Sequence, residues 1–142
     1  MFALRTLRAH GMAQASLHDI CKATLITQIT YASPAWNGFL SVADRNRLQS
    51  IVTKAKIFGY LRANYDSFDQ RCANADEKLF INVRYNPNHV LYQLLPSVKC
   101  SGYNLLSRRH NYTLPHNNTT LISNNSINRM LFADYVLICT DC

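Results

Sequence analysis

Acidic residues are scarce in this sequence. Eight Asp and Glu stand against fifteen Lys and Arg, which gives a formal net charge of +7 over 142 residues. The excess is uneven, since residues 1–62 hold eight basic side chains and two aspartates. A cationic surface of this kind suits binding to a phosphate-rich partner, and it equally suits a solvated basic surface that binds nothing. Because 48% of the residues are apolar and 16% are charged, the composition favours a folded core over a disordered polycation.

Long apolar runs are absent as well. No window approaches eighteen apolar residues, and the first turn lacks an apolar stretch of signal-peptide length. The cysteines are odd in number and form no disulfide framework, so we interpret them as reduced thiols. We therefore expect an intracellular chain without a membrane-spanning segment, of a length that suits one ordinary domain. The five cysteines are Cys21, Cys72, Cys100, Cys139 and Cys142.

Motifs of catalysis are also missing. The sequence has no Gly-rich phosphate loop, no nucleophile paired with a base and no His set at metal-ligand spacing. Residues 132–135 have the aromatic-Ala-Asp pattern of a two-metal polymerase turn, but Tyr135 replaces the second carboxylate and leaves Asp134 an ordinary surface acid. Cys139 and Cys142 form a lone CxxC, either an ordinary pair or part of a truncated zinc knuckle. We expect no enzyme activity, no cofactor and no small-molecule substrate.

Helical periodicity dominates what is present. Gly11 is placed to close a first helix. Ser16 with Asp19 predicts the start of a second helix, because a short polar residue followed by an acid three positions later is typical of a helix N-terminus. Apolar residues then recur at helical spacing as far as Tyr31.

The clearest helix start lies at Ser41. Ser41 and Asp44 form a second capping pair, and Gly59 is placed as the stop. Between them an apolar stripe recurs at about 100° per residue, which predicts one buried face. The stripe consists of Leu48, Ile51, Val52, Ala55 and Phe58.

Four cations border this stripe. Arg47 and Lys54 flank it on one side. Arg45 and Lys56 flank it on the other. Cations on both edges of a helix can lie along a nucleic-acid backbone, and they can equally extend into solvent without binding anything. The sequence leaves both interpretations open.

The helical pattern continues to about residue 96. Asp76 and Glu77 predict the start of a further helix that Pro87 ends, and His89 is interpreted as a capping or core residue. Residues 103–114 predict an irregular or hairpin section, and residues 117–128 predict an Asn-rich linker. We predict a mostly α protein, a small bundle of four to five helices with a flexible C-terminal tail. Its helical domain would cover residues 1–98, and residues 99–142 would form a connector, the linker and a last short helix.

The stretch from Tyr31 to Phe39 combines the only tryptophan with a proline and a glycine. Pro34 lacks a backbone N–H and pushes Ser33 out of the helical region, so an incoming helix must stop here. Large rings outside a regular period are usually packing anchors. We predict that Tyr31, Pro34, Trp36 and Phe39 are structural anchors, with Trp36 largely buried between the flanking helices. The alternative is an aromatic platform for nucleic-acid bases.

The same stretch carries a family resemblance. Residues 31–36, Tyr-Ala-Ser-Pro-Ala-Trp, precede a basic helix that contains Asp-Arg-Asn-Arg-Leu-Gln-Ser-Ile at 44–51. This arrangement resembles the segment downstream of the catalytic palm in reverse transcriptases of non-LTR (LINE-like) retrotransposons. Two later runs, at 86–91 and 103–115, fit the same source, and the resemblance covers roughly residues 2–132.

The resemblance implies the thumb-like helices and connector that grip template and new DNA, without the palm and its catalytic carboxylates. The chain would then be a non-catalytic fragment of an RNA-directed DNA polymerase, binding the template/cDNA backbone weakly and without sequence specificity. The missing upstream polymerase segment would be a further partner. The alternative is a helical protein–protein interaction module with no nucleic-acid role. The expected nucleic-acid-binding residues are Arg45, Arg47, Lys54, Lys56, Arg108 and Arg109.

Overall fold

The computed structural model describes residues 1–99, 110–115 and 119–136, the last three of these by their backbone alone. The chain is mostly α, as predicted. It forms two compact units. Unit 1 comprises Met1–Ser33 and Leu40–Asn74, and unit 2 comprises Pro34–Phe39 and the described residues from Ala75 onward.

The helices alternate with short turns. Five of those in the described residues are eight residues or longer, in agreement with the four to five that periodicity predicts. In chain order the elements are α1 Phe2–Ala9, α2 Gln14–Cys21, a π-helical segment Lys22–Ile26, α3 Thr27–Thr30, α4 Ser33–Trp36, a 3₁₀ turn Asn37–Phe39, α5 Val42–Ile57, α6 Phe68–Tyr85, a 3₁₀ helix Val90–Leu94, α7 Thr120–Asn124 and α8 Ser126–Val136.

Extended pairing is minimal in the part of the chain that the structure describes. Val98 and Tyr112 form one antiparallel bridge, in which the Lys99 amide donates to the Asn111 carbonyl at 2.6 Å. This bridge includes the end of the section predicted as irregular or hairpin. Residues 103–109 of that section lie outside the described residues, and so do residues 137–142 at the end of the predicted flexible tail.

Local signals set the ends of α5 as expected. The Ser41 Oγ accepts a hydrogen bond from the Asp44 amide at 3.1 Å, which satisfies one free N–H of the first turn. Gly59 follows the helix with φ +73°, a left-handed conformation that glycine adopts without a Cβ clash. Gly11 plays the same part after α1, with φ +80°.

Two predicted helix starts are wrong. Helix α2 begins at Gln14, so Ser16 and Asp19 lie inside it instead of at its N-terminus. Helix α6 begins at Phe68, where the Ser67 hydroxyl accepts from the Gln70 amide at 3.1 Å and the Gln49 side chain accepts from the Phe68 amide at 2.8 Å. Asp76 therefore lies in mid-helix. The C-terminal end is correct, since α6 stops at Tyr85 before Pro87.

The break after Tyr31 is in the predicted place but has a different cause. Tyr31 leaves the helical region with ψ 126°, and Ala32 adopts φ +48°. Ser33 then opens α4, which corrects the expectation that Pro34 forces Ser33 out of a helix. Pro34 lies in the first turn of α4, where its missing N–H would have no helical partner.

Each unit has its own core. In unit 1 the fully buried side chains include Leu17 of α2, Val52 of α5 and Phe68 of α6. In unit 2 Phe80 of α6 packs with Ile127 and Leu131 of α8. No helix in the described ranges is both long and apolar enough to cross a bilayer.

Candidate nucleic-acid interface

The four cations of α5 divide into two opposed pairs. Arg47 and Lys54 are seven residues apart, about two helical turns, and so share one side of the helix. Arg45 and Lys56 are eleven residues apart, about three turns, and share another side. Arg45 and Arg47 point about 160° apart, because two residues span about 200° of rotation. A single flat surface therefore cannot engage all four cations equally.

The Arg45 side of the helix is tied to the rest of unit 1. The Arg45 guanidinium forms an ion pair with the Asp69 carboxylate of α6 at 2.5 Å, and both side chains are partly covered. Lys56 on the same side is half-buried. The Arg45–Asp69 ion pair connects α5 to α6, and Asp69 partly neutralises the positive charge of Arg45.

The Arg47 side of the helix faces solvent. Arg47 is 80% exposed and contacts Asp44 at 3.2 Å, one turn away. An exposed ion pair of this kind contributes about 0–1 kcal/mol, so a phosphate can replace the carboxylate at little cost. Lys54 is exposed, and no residue that the structure describes forms an ion pair with it. These two side chains are the accessible cations of α5.

The exposed face between the two cation pairs is neutral. It consists of Asn46, Ser50, Thr53 and Ile57, all solvent-exposed. The hydroxyls of Ser50 and Thr53 donate to the carbonyls of their own helix, at 2.7 and 3.1 Å. An anion that approaches this face therefore meets no carboxylate between the flanking cations.

Unit 1, which the structure describes completely, has an uncompensated positive charge. It contains nine basic and four acidic residues. Each of its four aspartates is already in an ion pair with a basic residue of the same unit, at 2.5–4.0 Å. Five cations of unit 1 consequently have no carboxylate partner among the described residues, and an external anion is the natural counter-charge. They are Arg5, Arg8, Lys54, Lys56 and Arg62.

The predicted aromatic anchors are corrected by their exposure. Tyr31 is 76% exposed and Phe39 50%, so neither is a buried anchor. Trp36 and Pro34 are largely covered without being fully buried. Large rings contribute packing area only where they are enclosed, so Tyr31 and Phe39 add little and further contacts hold the segment.

Backbone contacts fix the Pro34–Phe39 segment within unit 2. The Arg129 guanidinium of α8 reaches the Pro34 carbonyl at 3.5 Å and also donates to the Asn124 carbonyl. A Cβ on Gly38 would collide with that Asn124 carbonyl and with the guanidinium. The segment therefore lies so close to its neighbours that only glycine fits at position 38.

A buried ion pair completes this contact. Arg129 donates to the Asp76 carboxylate at 2.7 Å, and Asp76 is 5% exposed. Burial raises the pKa of Asp76 above its ordinary value, although the neighbouring Arg129 and Asn37 act in the opposite direction. The Asp76–Arg129 ion pair therefore has a structural role, since it connects α6 to α8 and to the Pro34–Phe39 segment. The sequence offered no signal for it, because Arg129 lies 53 residues from Asp76.

Sites for metal chemistry are absent from the described residues, which hold no group of three or more His, Cys, Asp or Glu that could bind an ion. His89 caps the 3₁₀ helix by accepting from the Leu91 amide at 3.1 Å, as predicted. Arg108 and Arg109 lie outside the described residues, as do Cys139 and Cys142.

The structure thus brings Arg47 and Lys54 together on an exposed side of α5 and places Arg45 and Lys56 on another. Compared with protein-family models, with curated proteins and with solved structures, the chain matches none.

Proposed function

We propose that this chain binds the backbone of an RNA–DNA hybrid or another nucleic-acid duplex, weakly and without sequence specificity. It would act as a non-catalytic fragment of a retrotransposon RNA-directed DNA polymerase, the family that the motifs at 31–36, 44–51, 86–91 and 103–115 resemble. Catalysis would require the palm of an upstream polymerase segment, which would be a second partner.

The exposed pair Arg47 and Lys54 carries the proposal. The two cations lie about 10.5 Å apart along one side of α5, from the rise of 1.5 Å per residue. Every aspartate of unit 1 is already paired, so the surplus positive charge of the unit is available to phosphates. Cations on the edge of a neutral face contact phosphates, which carry no sequence information. Weak, nonspecific binding follows.

The salt dependence of binding tests the proposal. Fluorescence anisotropy of a labelled RNA–DNA hybrid should give a plot of log K against log salt with a slope of about −3 to −4 if about four cations engage phosphates. The variant R47Q/K54Q should reduce the magnitude of this slope by about 1.8, since each phosphate contact contributes about 0.9.

The matched control is the double variant R45Q/K56Q. It removes the same charge from the same helix, but from the side that is tied to Asp69 or half-buried. The slope should change by less than about one unit. Equal effects of the two double variants, or no binding at low salt, would contradict the proposal.

A protein–protein interaction module is the second candidate function. Exposed apolar side chains on α6 favour it, because Ile81 and Tyr85 are one turn apart and 47% and 72% exposed. Sedimentation velocity of the full chain distinguishes the two. A stable dimer that does not bind the hybrid at low salt would support the module.

A further inference from the structure

A pocket of about 330 Å³ lies within unit 1, between α1 and the residues that follow α5. It opens to solvent, and its size falls in the range of small-ligand pockets in proteins. Two arginines and three aromatic rings supply most of its lining, and no carboxylate of the described chain takes part. The lining residues are Met1, Phe2, Arg5, Arg8, Phe58 and Tyr60.

Arg8 and Tyr60 form a preorganised wall of this pocket. The Arg8 guanidinium lies over the Tyr60 ring, 4.7 Å from its centroid, and donates to the Phe58 carbonyl at 2.7 Å and to the Tyr60 hydroxyl at 3.3 Å. Tyr60 is itself buried. Because these three contacts fix the Arg8 guanidinium in place, its positive charge has a defined position in the pocket.

The outer part of the pocket consists of groups that are still available for a ligand. Phe58 is 49% exposed and Phe2 83% exposed, so both rings present a face to solvent. Arg5 lies one turn before Arg8 on α1 and is exposed, and its guanidinium forms no hydrogen bond or ion pair with any described residue. The pocket therefore combines aromatic faces with one uncommitted cation.

We propose that this pocket binds a single unpaired nucleotide. Its base would stack on Phe58 beside Phe2, and its phosphate would pair with Arg5, while Arg8 adds positive potential behind the ring. The chemistry of the lining supports this ligand class: two guanidiniums without a carboxylate select an anion, and exposed aromatic rings select a planar group. A nucleotide offers both in one small molecule.

The position of the pocket connects it to α5. Phe58 follows the last residue of α5, and its amide donates to the Lys54 carbonyl at 2.9 Å. A nucleic-acid strand whose phosphate contacts Lys54 would place its following nucleotides at the pocket. In this form the inference rests on the proposed function, since it makes the pocket the site for a single-stranded end of a duplex held by α5.

The test uses the full chain and two forms of one RNA–DNA hybrid. One form is blunt, and the other has a short single-stranded overhang that carries 2-aminopurine, a fluorescent base that is quenched when it stacks. The overhang should bind about fivefold tighter or more, the lower end of what stacking on an aromatic ring provides. Aminopurine fluorescence should fall on binding.

Two variants should remove this advantage: F58L, which keeps an apolar side chain without the ring and should leave blunt-end binding unchanged, and R5Q, which should still bind blunt hybrid. The matched controls are F39L, at a ring that is 50% exposed in unit 2, and R62Q, at an exposed unpaired cation of unit 1. Both controls should keep the advantage. Circular dichroism of each variant checks that the helices remain.

The outcomes separate this inference from the proposed function. Blunt hybrid that binds, with no gain from the overhang and no quenching, would overturn the pocket and leave α5 as the interface. Overhang binding that F58L abolishes, with no binding of blunt hybrid, would support the pocket and overturn the duplex interface. An equal loss in F58L and F39L would also overturn the pocket.

Discussion

Replacing Arg129 by methionine tests how unit 2 holds the Pro34–Phe39 segment. Methionine keeps most of the length and apolar stem of the side chain, but it removes the donors to Asp76 and to the Asn124 and Pro34 carbonyls. Asp76, 5% exposed, is left without its arginine. Removing one partner of a buried ion pair costs about 3–5 kcal/mol. We expect about 3 kcal/mol, since Arg129 is itself partly exposed.

Urea denaturation followed by tryptophan fluorescence measures this loss. Trp36 is the only tryptophan and lies in unit 2, so its emission reports on this unit. A loss of about 3 kcal/mol is a large share of the ~5–15 kcal/mol that stabilises an ordinary domain. The penalty should shrink at mildly acidic pH, because an unpaired Asp76 can take up a proton instead of remaining charged.

A double-variant cycle makes the test sharper. D76L alone should cost about 1–3 kcal/mol, since Arg129 keeps its backbone acceptors. R129M/D76L should cost only about 1–2 kcal/mol, because replacing both members of a buried pair by apolar groups is close to neutral apart from the lost hydrogen bonds. Single effects that add to within about 0.5 kcal/mol would refute the coupling, and so would an R129M variant as stable as the original chain.

Two further predictions concern the same region. G38A should destabilise unit 2 by about 1–3 kcal/mol or more in the same urea assay, because its Cβ would collide with the Asn124 carbonyl and the Arg129 guanidinium; an unchanged midpoint would show that the segment is not held this closely. Burial raises the pKa of Asp76 above its ordinary value of 3.8. Between these two pKa values the folded chain still binds a proton that the unfolded chain has lost. The free energy of unfolding therefore falls as pH rises through that window. The pH profile of D76N should lack this fall, and identical profiles would contradict the assignment.

The elements that the sequence predicted correctly depend on neighbours close in the chain. Ser41 with Asp44, and Gly59 after the last turn, set the ends of α5 through contacts within a few residues. The opposition of Arg45 and Arg47 also follows from helix geometry alone. Such features need no knowledge of the tertiary fold.

The failures have long-range causes. The start of α6 is an exception in part, because the local Ser67 hydroxyl accepts from the Gln70 amide beside the contact from Gln49, nineteen residues before Phe68. Arg129 acts on Asp76 and on the Pro34 carbonyl, 53 and 95 residues away, so no local pattern could assign its role. The aromatic stretch was expected to be held by its rings, but Tyr31 and Phe39 are exposed. The contact of Arg129 with the Pro34 carbonyl and the close approach of Gly38 to Asn124 hold the segment instead.

Chemical-shift mapping during a titration with RNA–DNA hybrid tests the central claim most directly, since it shows where on the chain the nucleic acid lies. In ¹H–¹⁵N spectra of the full chain at low salt, the largest changes should occur at the amides of Ser50, Thr53 and Lys54 on the exposed face of α5. They should disappear as salt is added. An absence of changes at low salt, or changes centred on the exposed Ile81 and Tyr85 of α6, would contradict the assignment of α5 as the interface.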